Sequence, residues 1–240
     1  MFEVNNPDLT SWVDVPADSD FPIQNLPFGI FSTADRSARP AVAIGEHILD
    51  LAAVSALGLL DELGCERSDF ESATLNDFIG RGKQVTRAVR NRLGELLQSS
   101  ATELPDHASR VLVAQSDATM HLPVQVGDYT DFYSSEDHAR NVGKMFRDPE
   151  NALLPNWKHM PVGYHGRASS IVVSGTPIKR PHGQTRPDDS APPVFGPSRL
   201  LDFELEMAFV THPGKALGER ISTEEADDFI FGLALFNDWS

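Results

Sequence analysis

Acidic side chains occupy three alternate positions, 202, 204 and 206, of the segment LLDFELEMAF at residues 200–209. If this segment is a strand, Asp202, Glu204 and Glu206 share one face, because successive side chains point to opposite faces. Neighbouring carboxylates are then ~6.6 Å apart and repel by roughly 2 kcal/mol at an effective dielectric near 20. Such a face either binds a cation or points to water, where the repulsion is screened. The apolar residues of the segment lie on the opposite face, at Leu201, Phe203, Leu205, Met207 and Phe209.

Two further carboxylates favour the cation interpretation. Asp238 ends a strongly apolar segment, and Asp131 lies in the polar and aromatic loop VGDYTDFYSSEDHA. An all-oxygen set suits Ca²⁺ or Mg²⁺ rather than zinc. His159 and His165 have neither i,i+4 helical spacing nor a cysteine partner, so both are expected to be ordinary loop histidines.

The elements before residue 117 predict a small mixed domain. Residues 39–51 (RPAVAIGEHILDL) indicate two short strands that turn at Gly45 and Glu46, followed by a short helix at 51–60. Residues 111–115 indicate a closing strand. Residues 83–97 predict the clearest helix. Its apolar stripe is Val85, Val89, Leu93, Leu96 and Leu97, and the surrounding basic side chains, expected to form a solvated face, are Arg81, Lys83, Arg87, Arg90 and Arg92.

The remaining chain is mostly strand and loop. Strands are expected at 170–175 and 199–210, separated by a long proline-rich connection at 181–199 that borders a site or an interface. Ser222 and Glu225 form a capping box that begins a short helix. Residues 229–240 predict a buried strand. A buried strand at the last residue would lack neighbours in its sheet, so the 240 residues are expected to be the front part of a longer protein.

Composition narrows the function classes. The 240 residues carry 35 acidic and 20 basic side chains, a formal net charge of -15, which argues against nucleic acid and anionic membranes as partners. The single cysteine, Cys65, fits a reducing compartment. No secretory signal is visible and no apolar run reaches ~18 residues. A cytoplasmic location is expected.

Four long motifs in fixed order resemble the fumarylacetoacetase family. They are DYTDFYSSEDHARNVGKMFR, NWKHMPVGYHGRASSIVVSGTPI, LLDFELEMAF and FNDWS. The resemblance implies hydrolysis of fumarylacetoacetate to fumarate and acetoacetate, the last step of tyrosine and phenylalanine catabolism. It also implies a mixed, mostly β fold and a homodimer. An N-terminal SH3-like barrel domain (1–117) is followed by the first part of a β-roll-like, mixed-sheet catalytic domain (118–240).

The same resemblance implies roles for individual residues. Catalysis is assigned to His138, the general base that activates water, and the residues that hold the substrate are Tyr133, Arg147 and Tyr164. The metal ligands for Ca²⁺ and/or Mg²⁺ are Asp131, Glu204, Glu206 and Asp238, which leaves Asp202 outside the ligand set. Judged by residue type alone, the two tyrosines would be core aromatics and the arginine a surface ion-pair partner. The family continues beyond the last motif with arginine, glutamine, lysine and glutamate residues of the site, so the 240 residues alone are not expected to turn over substrate.

Two alternatives remain open. One is a related acylpyruvate hydrolase, decarboxylase or isomerase of the same superfamily. The other is a non-catalytic cation-binding or scaffolding module. The N-terminal domain and the DFYSS…HA…MFR run favour the first assignment over the related enzymes, and His138 separates it from a scaffold, which needs no imidazole beside a cation.

Overall fold

The structure is a computed structural model that describes residues 4–186, 188 and 190–240. The fold is mixed and mostly sheet, as the sequence predicts. The described residues form two compact units. The first contains the residues up to Val124 together with Val173–Ser240, and the second is Gln125–Val172.

A five-stranded antiparallel sheet forms the centre of the first unit and curls into a half-barrel, which confirms the predicted barrel-like N-terminal fold. The two strands predicted within residues 39–51 are present, and they turn at Gly45 with a φ of 53°. A Cβ at Gly45 would lie 2.5 Å from the backbone oxygen of Asp14, so the turn requires glycine. In the order β4-β3-β2-β1-β5, the strands are Phe28–Ser32 (β1), Arg39–Ile44 (β2), His47–Asp50 (β3), Leu112–Ala114 (β4) and Thr119–His121 (β5).

Four helices accompany this sheet in the described residues: Leu51–Ala56 (α1), Asn76–Gly80 (α2), Lys83–Leu97 (α3) and Ala108–Val111 (α4). The buried carboxylate of Asp50 caps α1 by accepting a 3.1 Å hydrogen bond from the backbone N–H of Ala53. The same carboxylate accepts from Arg36 Nη1 at 3.0 Å, so its buried charge is paired. The helix ends before the predicted residue 60 because Gly58 adopts a φ of 76°.

Helix α3 spans the predicted residues and packs its apolar stripe into the core. Val89, Leu93, Leu96 and Leu97 are fully buried, which stabilises the fold by ~1.5–3 kcal/mol for each large side chain. The prediction that the basic side chains around this stripe form a solvated face is wrong for several of these arginines. Burial lowers the pKa of Arg90, whose Nη2 donates to the backbone oxygen of Gln24 at 2.7 Å. Ion pairs hold others, such as Arg92 with Glu103 and Arg81 with Asp69.

The second unit contains two short strands and one helix: Thr130–Phe132 (β6), Glu136–Phe146 (α5) and Gly163–His165 (β7). Strands β6 and β7 pair antiparallel. The helix lies close to the segment that follows it, because a Cβ at Gly143 would be 2.1 Å from the backbone oxygen of Ala152. Ala139 and Ala152 are the buried apolar residues of this unit.

Two predictions between residues 170 and 199 are wrong. Residues 170–175 do not form a strand, because the backbone N–H and hydroxyl of Thr176 both donate to Val173 and Gly175 turns with a φ of 86°. The expected unstructured connection contains the antiparallel strands His182–Thr185 (β8) and Val194–Pro197 (β9). Pro187 and Asp189 of this connection lie outside the described residues.

The last two strands of the chain, Phe203–Thr211 (β10) and Ile230–Trp239 (β11), pair antiparallel over nearly their whole length. The predicted capping box precedes β11. Ser222 N–H donates to Glu225 Oε2 at 2.9 Å, and Glu225 N–H donates to Ser222 Oγ at 3.3 Å. The helix that follows is a single 3-10 turn, Ala226–Phe229, because the chain enters the strand directly afterwards.

The prediction that 229–240 forms a buried strand is wrong in its burial. Leu205 and Leu235, on one face of the β10–β11 pair, are 74% and 75% exposed, since no other described strand pairs with either one. At the far end of the pair, Val210 and Phe231 pack against the main core. No helix among the described residues is long and apolar enough to cross a membrane.

Candidate active site

Strands β10 and β11 bring three carboxylates to one face of the first unit. Glu204 lies directly opposite Asp238 in the antiparallel register, and Glu206 follows two residues along the same face. Side chains in opposite positions have Cβ atoms ~4.5–5.5 Å apart. All three carboxylates are half-buried, whereas Leu205 and Met207 on the reverse face are exposed. The acidic face is thus less accessible than the apolar one.

The spacing of these carboxylates suits a hard cation. A carboxylate oxygen of Glu206 and one of Asp238 lie within 4.8 Å of each other. Two unit charges at that distance repel by about 3 kcal/mol at an effective dielectric near 20. A divalent cation with a preference for oxygen ligands would reverse this repulsion. The residues present therefore fit a metal ion by donor type and by separation.

Asp131 lies in the second unit, on strand β6 rather than in the predicted loop. Its partner across the β6–β7 pair is Tyr164, whose hydroxyl donates a 2.7 Å hydrogen bond to Asp131 Oδ2. This bond fixes the orientation of the carboxylate on a short strand. Tyr164 is 58% exposed, so it is a surface residue and not the core aromatic that its residue type alone suggests.

His138 lies in the first turn of helix α5. The helix begins after Ser135, whose Oγ accepts a 3.3 Å hydrogen bond from the backbone N–H of His138. Glu136 and Asp137 in the same turn complement the positive end of the helix dipole. The imidazole packs edge-on against the ring of Tyr133, with 5.1 Å between ring centroids and an interplanar angle of 73°. The structure thus brings two predicted site residues into contact.

Trp157 is a residue that the sequence reasoning did not assign to the site. Its indole Nε1–H donates a 3.1 Å hydrogen bond to the backbone oxygen of Tyr133. Both residues line a cavity of about 410 Å³ in the second unit, together with Phe132, Met160 and their neighbours. Its volume lies within the range of small-molecule pockets, ~300–1,000 Å³. Nothing in the local sequence predicts the contact, because the two residues are 24 positions apart.

Arg147 lies at the opposite end of α5 from His138. Nine residues separate them, which corresponds to about 13 Å along a helix axis. Arg147 is an exposed residue, and its Nη1 donates to the backbone oxygen of Ala152 at 3.1 Å. The described contacts therefore place Arg147 apart from the Tyr133–His138 pair.

Of the two histidines in the HMPVGYHG segment, His159 lies in a loop as expected and His165 does not. His165 belongs to strand β7, and its Nε2 lies 2.8 Å from a carboxylate oxygen of Asp128. The pair joins the residues just outside β6 to the end of β7. His159 lies in a turn and lines the cavity beside Tyr133.

Comparison with known proteins identifies the family. Residues 24–123 match the fumarylacetoacetase N-terminal family model, and residues 128–240 match the fumarylacetoacetate (FAA) hydrolase C-terminal model. The chain is 57% identical over 237 residues to fumarylacetoacetase of Caenorhabditis elegans. It is 55% identical to the Mus musculus enzyme and 54% identical to the Homo sapiens enzyme, each over 234 residues.

These matches cover 96–97% of the chain and 56–57% of each relative, so the chain spans a little over half the length of the curated relatives. The N-terminal and C-terminal models lie in family order and together match most of the chain. The chain belongs to the fumarylacetoacetase family.

Proposed function

We propose that the protein containing this chain hydrolyses the carbon–carbon bond of fumarylacetoacetate to give fumarate and acetoacetate. The observation that carries the proposal is the half-buried carboxylate group of the β10–β11 pair, in a chain 54–57% identical to fumarylacetoacetases. The three relatives share one name, so an acylpyruvate hydrolase, decarboxylase or isomerase gains no support from them. The reaction belongs to tyrosine and phenylalanine catabolism.

The proposed metal ligands are Asp131, Glu204, Glu206 and Asp238. Glu204 and Asp238 lie opposite each other in the strand pair, and carboxylate oxygens of Glu206 and Asp238 lie within 4.8 Å of each other. The carboxylate of Asp131 is oriented by its hydrogen bond from Tyr164. An all-oxygen set favours Ca²⁺ or Mg²⁺. When bound, such a cation supplies a Lewis acid that polarises the diketone carbonyl and stabilises the enolate charge of the leaving acetoacetate.

His138 is the proposed general base. An imidazole accepts a proton from water near neutral pH, and this step gives the nucleophile that attacks the carbonyl carbon next to the bond that breaks. The helix turn holds the backbone of His138 through Ser135, and the Tyr133 ring limits the positions that the imidazole can adopt. The residue therefore has one face packed and stands at the exposed surface of its unit, where water can reach it.

Tyr133, Arg147 and Tyr164 are the proposed substrate-binding residues. The hydroxyl of Tyr133 can donate to an oxygen of the diketone. The Tyr164 hydroxyl donates its one hydrogen to Asp131, so Tyr164 would contact the substrate through its ring. A guanidinium can pair with a substrate carboxylate through two parallel N–H groups. Because Arg147 lies at the far end of α5, it would bind a carboxylate distant from the reacting carbonyl, and fumarylacetoacetate carries a carboxylate at each end.

The wider organisation remains a proposal as well. We propose an N-terminal domain at residues 1–117 and the first part of the catalytic domain at residues 118–240. We also propose that the protein is a homodimer and is located in the cytoplasm. The single cysteine supports a reducing compartment. The acidic net charge of -15 supports the absence of nucleic-acid and membrane partners.

The test is turnover of fumarylacetoacetate by the natural full-length protein and by its His138→Ala variant. Loss of the general base should lower kcat by about 10²–10⁴-fold and leave cation binding unchanged. His107→Ala, which changes a half-buried histidine in another part of the chain, serves as the control and should retain turnover. Normal hydrolysis by His138→Ala would contradict the assigned mechanism, and cation binding without any hydrolysis by the wild type would support a non-catalytic module.

A further inference from the structure

Two neighbouring residues of the second unit, Trp157 and Lys158, contact Tyr133 and the helix that carries His138. The indole of Trp157 donates to the backbone oxygen of Tyr133 at 3.1 Å. The ammonium of Lys158 lies 3.2 Å from Glu136 Oε2, in the first turn of α5. One short turn of chain therefore contacts the backbone of Tyr133 and the first turn of the helix that carries His138.

The backbone of Tyr133 is held at both its donor and its acceptor. Its N–H donates to the backbone oxygen of Val162 at 2.8 Å, and its C=O accepts from the indole of Trp157. Because both backbone groups are fixed, the position from which the Tyr133 side chain extends is fixed as well. Its ring packs edge-on against His138 from that position. Loss of the indole donor would leave the carbonyl half of this arrangement unsupported.

The turn that carries Trp157 is itself well fixed. The backbone N–H of Trp157 donates to Leu154 at 3.0 Å, and the N–H groups of His159 and Met160 both donate to the backbone oxygen of Asn156. Lys158 adds a charge contact to Glu136, which Arg140 also contacts. These hydrogen bonds, with Arg140 first and Lys158 second, lower the pKa of Glu136, so its carboxylate stays ionised and keeps both contacts at neutral pH.

We infer that Trp157 is a positioning residue, which sets the packing of Tyr133 against the imidazole of His138 through its indole N–H. The expected effect on turnover rests on the proposed function, because His138 is the proposed general base. It does not require Trp157 to touch substrate. A displacement of about 1 Å in a catalytic group can cost on the order of 100-fold in rate, so an indirect contact of this kind can control turnover.

Trp157→Phe tests the inference, because it removes the N–H donor and retains an aromatic ring. Trp12→Phe is a matched control, since the indole of Trp12 also donates to a backbone oxygen, that of Leu96 at 2.9 Å, in the first unit. Replacement of Trp157 by 3-benzothienylalanine, which exchanges the N–H for sulfur and preserves the ring size, separates loss of the hydrogen bond from loss of packing.

The first measurement is the histidine ring spectrum of the natural full-length protein labelled with ¹³C-histidine. Both Trp157 changes should shift the His138 ring resonance, which feels the ring current of Tyr133, whereas Trp12→Phe should leave it in place. The second measurement is kinetic. The Trp157 changes should lower kcat by about tenfold with little change in KM and should move the pH profile of kcat, an effect that general loss of stability does not produce.

The two measurements keep the inference distinct from the proposed function. If the wild-type protein does not hydrolyse fumarylacetoacetate, the proposed function fails, but a shifted His138 resonance in the Trp157 variants still supports the positioning role. A folded Trp157→Phe protein whose His138 resonance matches that of the wild type would overturn the inference, whatever its rate.

Discussion

The hydroxyl of Tyr164 and the Oδ2 atom of Asp131 are joined by a 2.7 Å hydrogen bond between opposite positions of β6 and β7. Tyr164 is a proposed substrate-binding residue and Asp131 a proposed metal ligand. The bond therefore links the two functions within one pair of short strands. A change at the tyrosine should reach the cation through the carboxylate that it orients.

We predict that Tyr164→Phe weakens cation binding. Partners that orient a metal ligand typically contribute 10–100-fold to affinity, so a loss of about tenfold is expected. Isothermal titration with Ca²⁺ and with Mg²⁺ would measure it. Tyr133→Phe, which removes a hydroxyl with no hydrogen bond to a carboxylate among the described residues, should leave cation affinity within about twofold and alter KM instead. Equal cation affinity of Tyr164→Phe and the wild type would show that the hydrogen bond does not orient a ligand.

The ligand set predicts a sharp difference between Glu206, in β10, and Asp202, which directly precedes that strand. Glu206→Gln removes a charged oxygen donor from the proposed site and should lower cation affinity by about 100-fold or more. Asp202→Asn changes a residue four positions earlier, whose Oδ1 already accepts from the backbone N–H of Phe203 at 2.9 Å. It should bind the cation as the wild type does. Terbium luminescence of both variants would check this, and equal losses would move Asp202 into the ligand set.

Helix α5 should tolerate no side chain at Gly143. A Cβ there would lie 2.1 Å from the backbone oxygen of Ala152, so Gly143→Ala must push the following segment away. The expected cost is about 1–3 kcal/mol in the free energy of unfolding. Gly80→Ala is the matched control at another helical glycine, because no described heavy atom beyond its chain neighbours and its own helix backbone lies within 4 Å of its Cβ position. It should be neutral or stabilising by up to about 1 kcal/mol. Denaturant unfolding of both variants distinguishes packing from helix propensity.

The turn before β11 should contribute a pH-dependent part of the stability. The hydrogen bond from Lys215, followed by those from Ser222, lowers the pKa of Glu225 from 4.5 to about 2. A lowered folded-state pKa means that the contribution is present above pH 4.5 and is lost as pH falls from 4.5 towards 2. The Tm difference between the wild type and Glu225→Gln should therefore be seen at pH 7 and disappear near pH 2.

A control for this titration is Glu46→Gln, which changes an exposed glutamate in the turn between β2 and β3. Its Tm difference from the wild type should stay small across the same pH range. A Glu225→Gln difference that persists unchanged down to pH 2 would contradict the role given to the Lys215–Glu225 pair.

Local sequence patterns predicted those helices and strands that a periodic residue pattern or a glycine turn marks within a single segment. The 3.6-residue period marked α3, the glycine turn marked β2 and β3, and the alternation of residues 200–209 marked β10. The same alternation placed Glu204 and Glu206 on one face. It could not supply the pairing register that sets Glu204 opposite Asp238, because register depends on contacts between two separate strands and these two residues are 34 positions apart.

Other features depended on tertiary contacts that no local pattern encodes. The run at 170–175 has strand-forming residues, but the turn at Gly175 overrides that propensity. Residues 229–240 are apolar enough to predict burial, yet Leu233 and Leu235 are largely exposed because only β10 among the described strands pairs with β11. The contact from Trp157 to Tyr133 was missed because an indole donor can reach any backbone oxygen near it in space.

The antiparallel register of β10 and β11 limits where natural variation in chain length can occur. Inserting or deleting one residue inside β10, between Glu204 and Glu206, would turn every later side chain of the strand to the opposite face and separate the two carboxylates. The connection from 212 to 229 carries no such restriction, because its residues lie outside both β10 and β11. Length changes should therefore collect in that connection, while the strand that carries the acids keeps a constant number of residues.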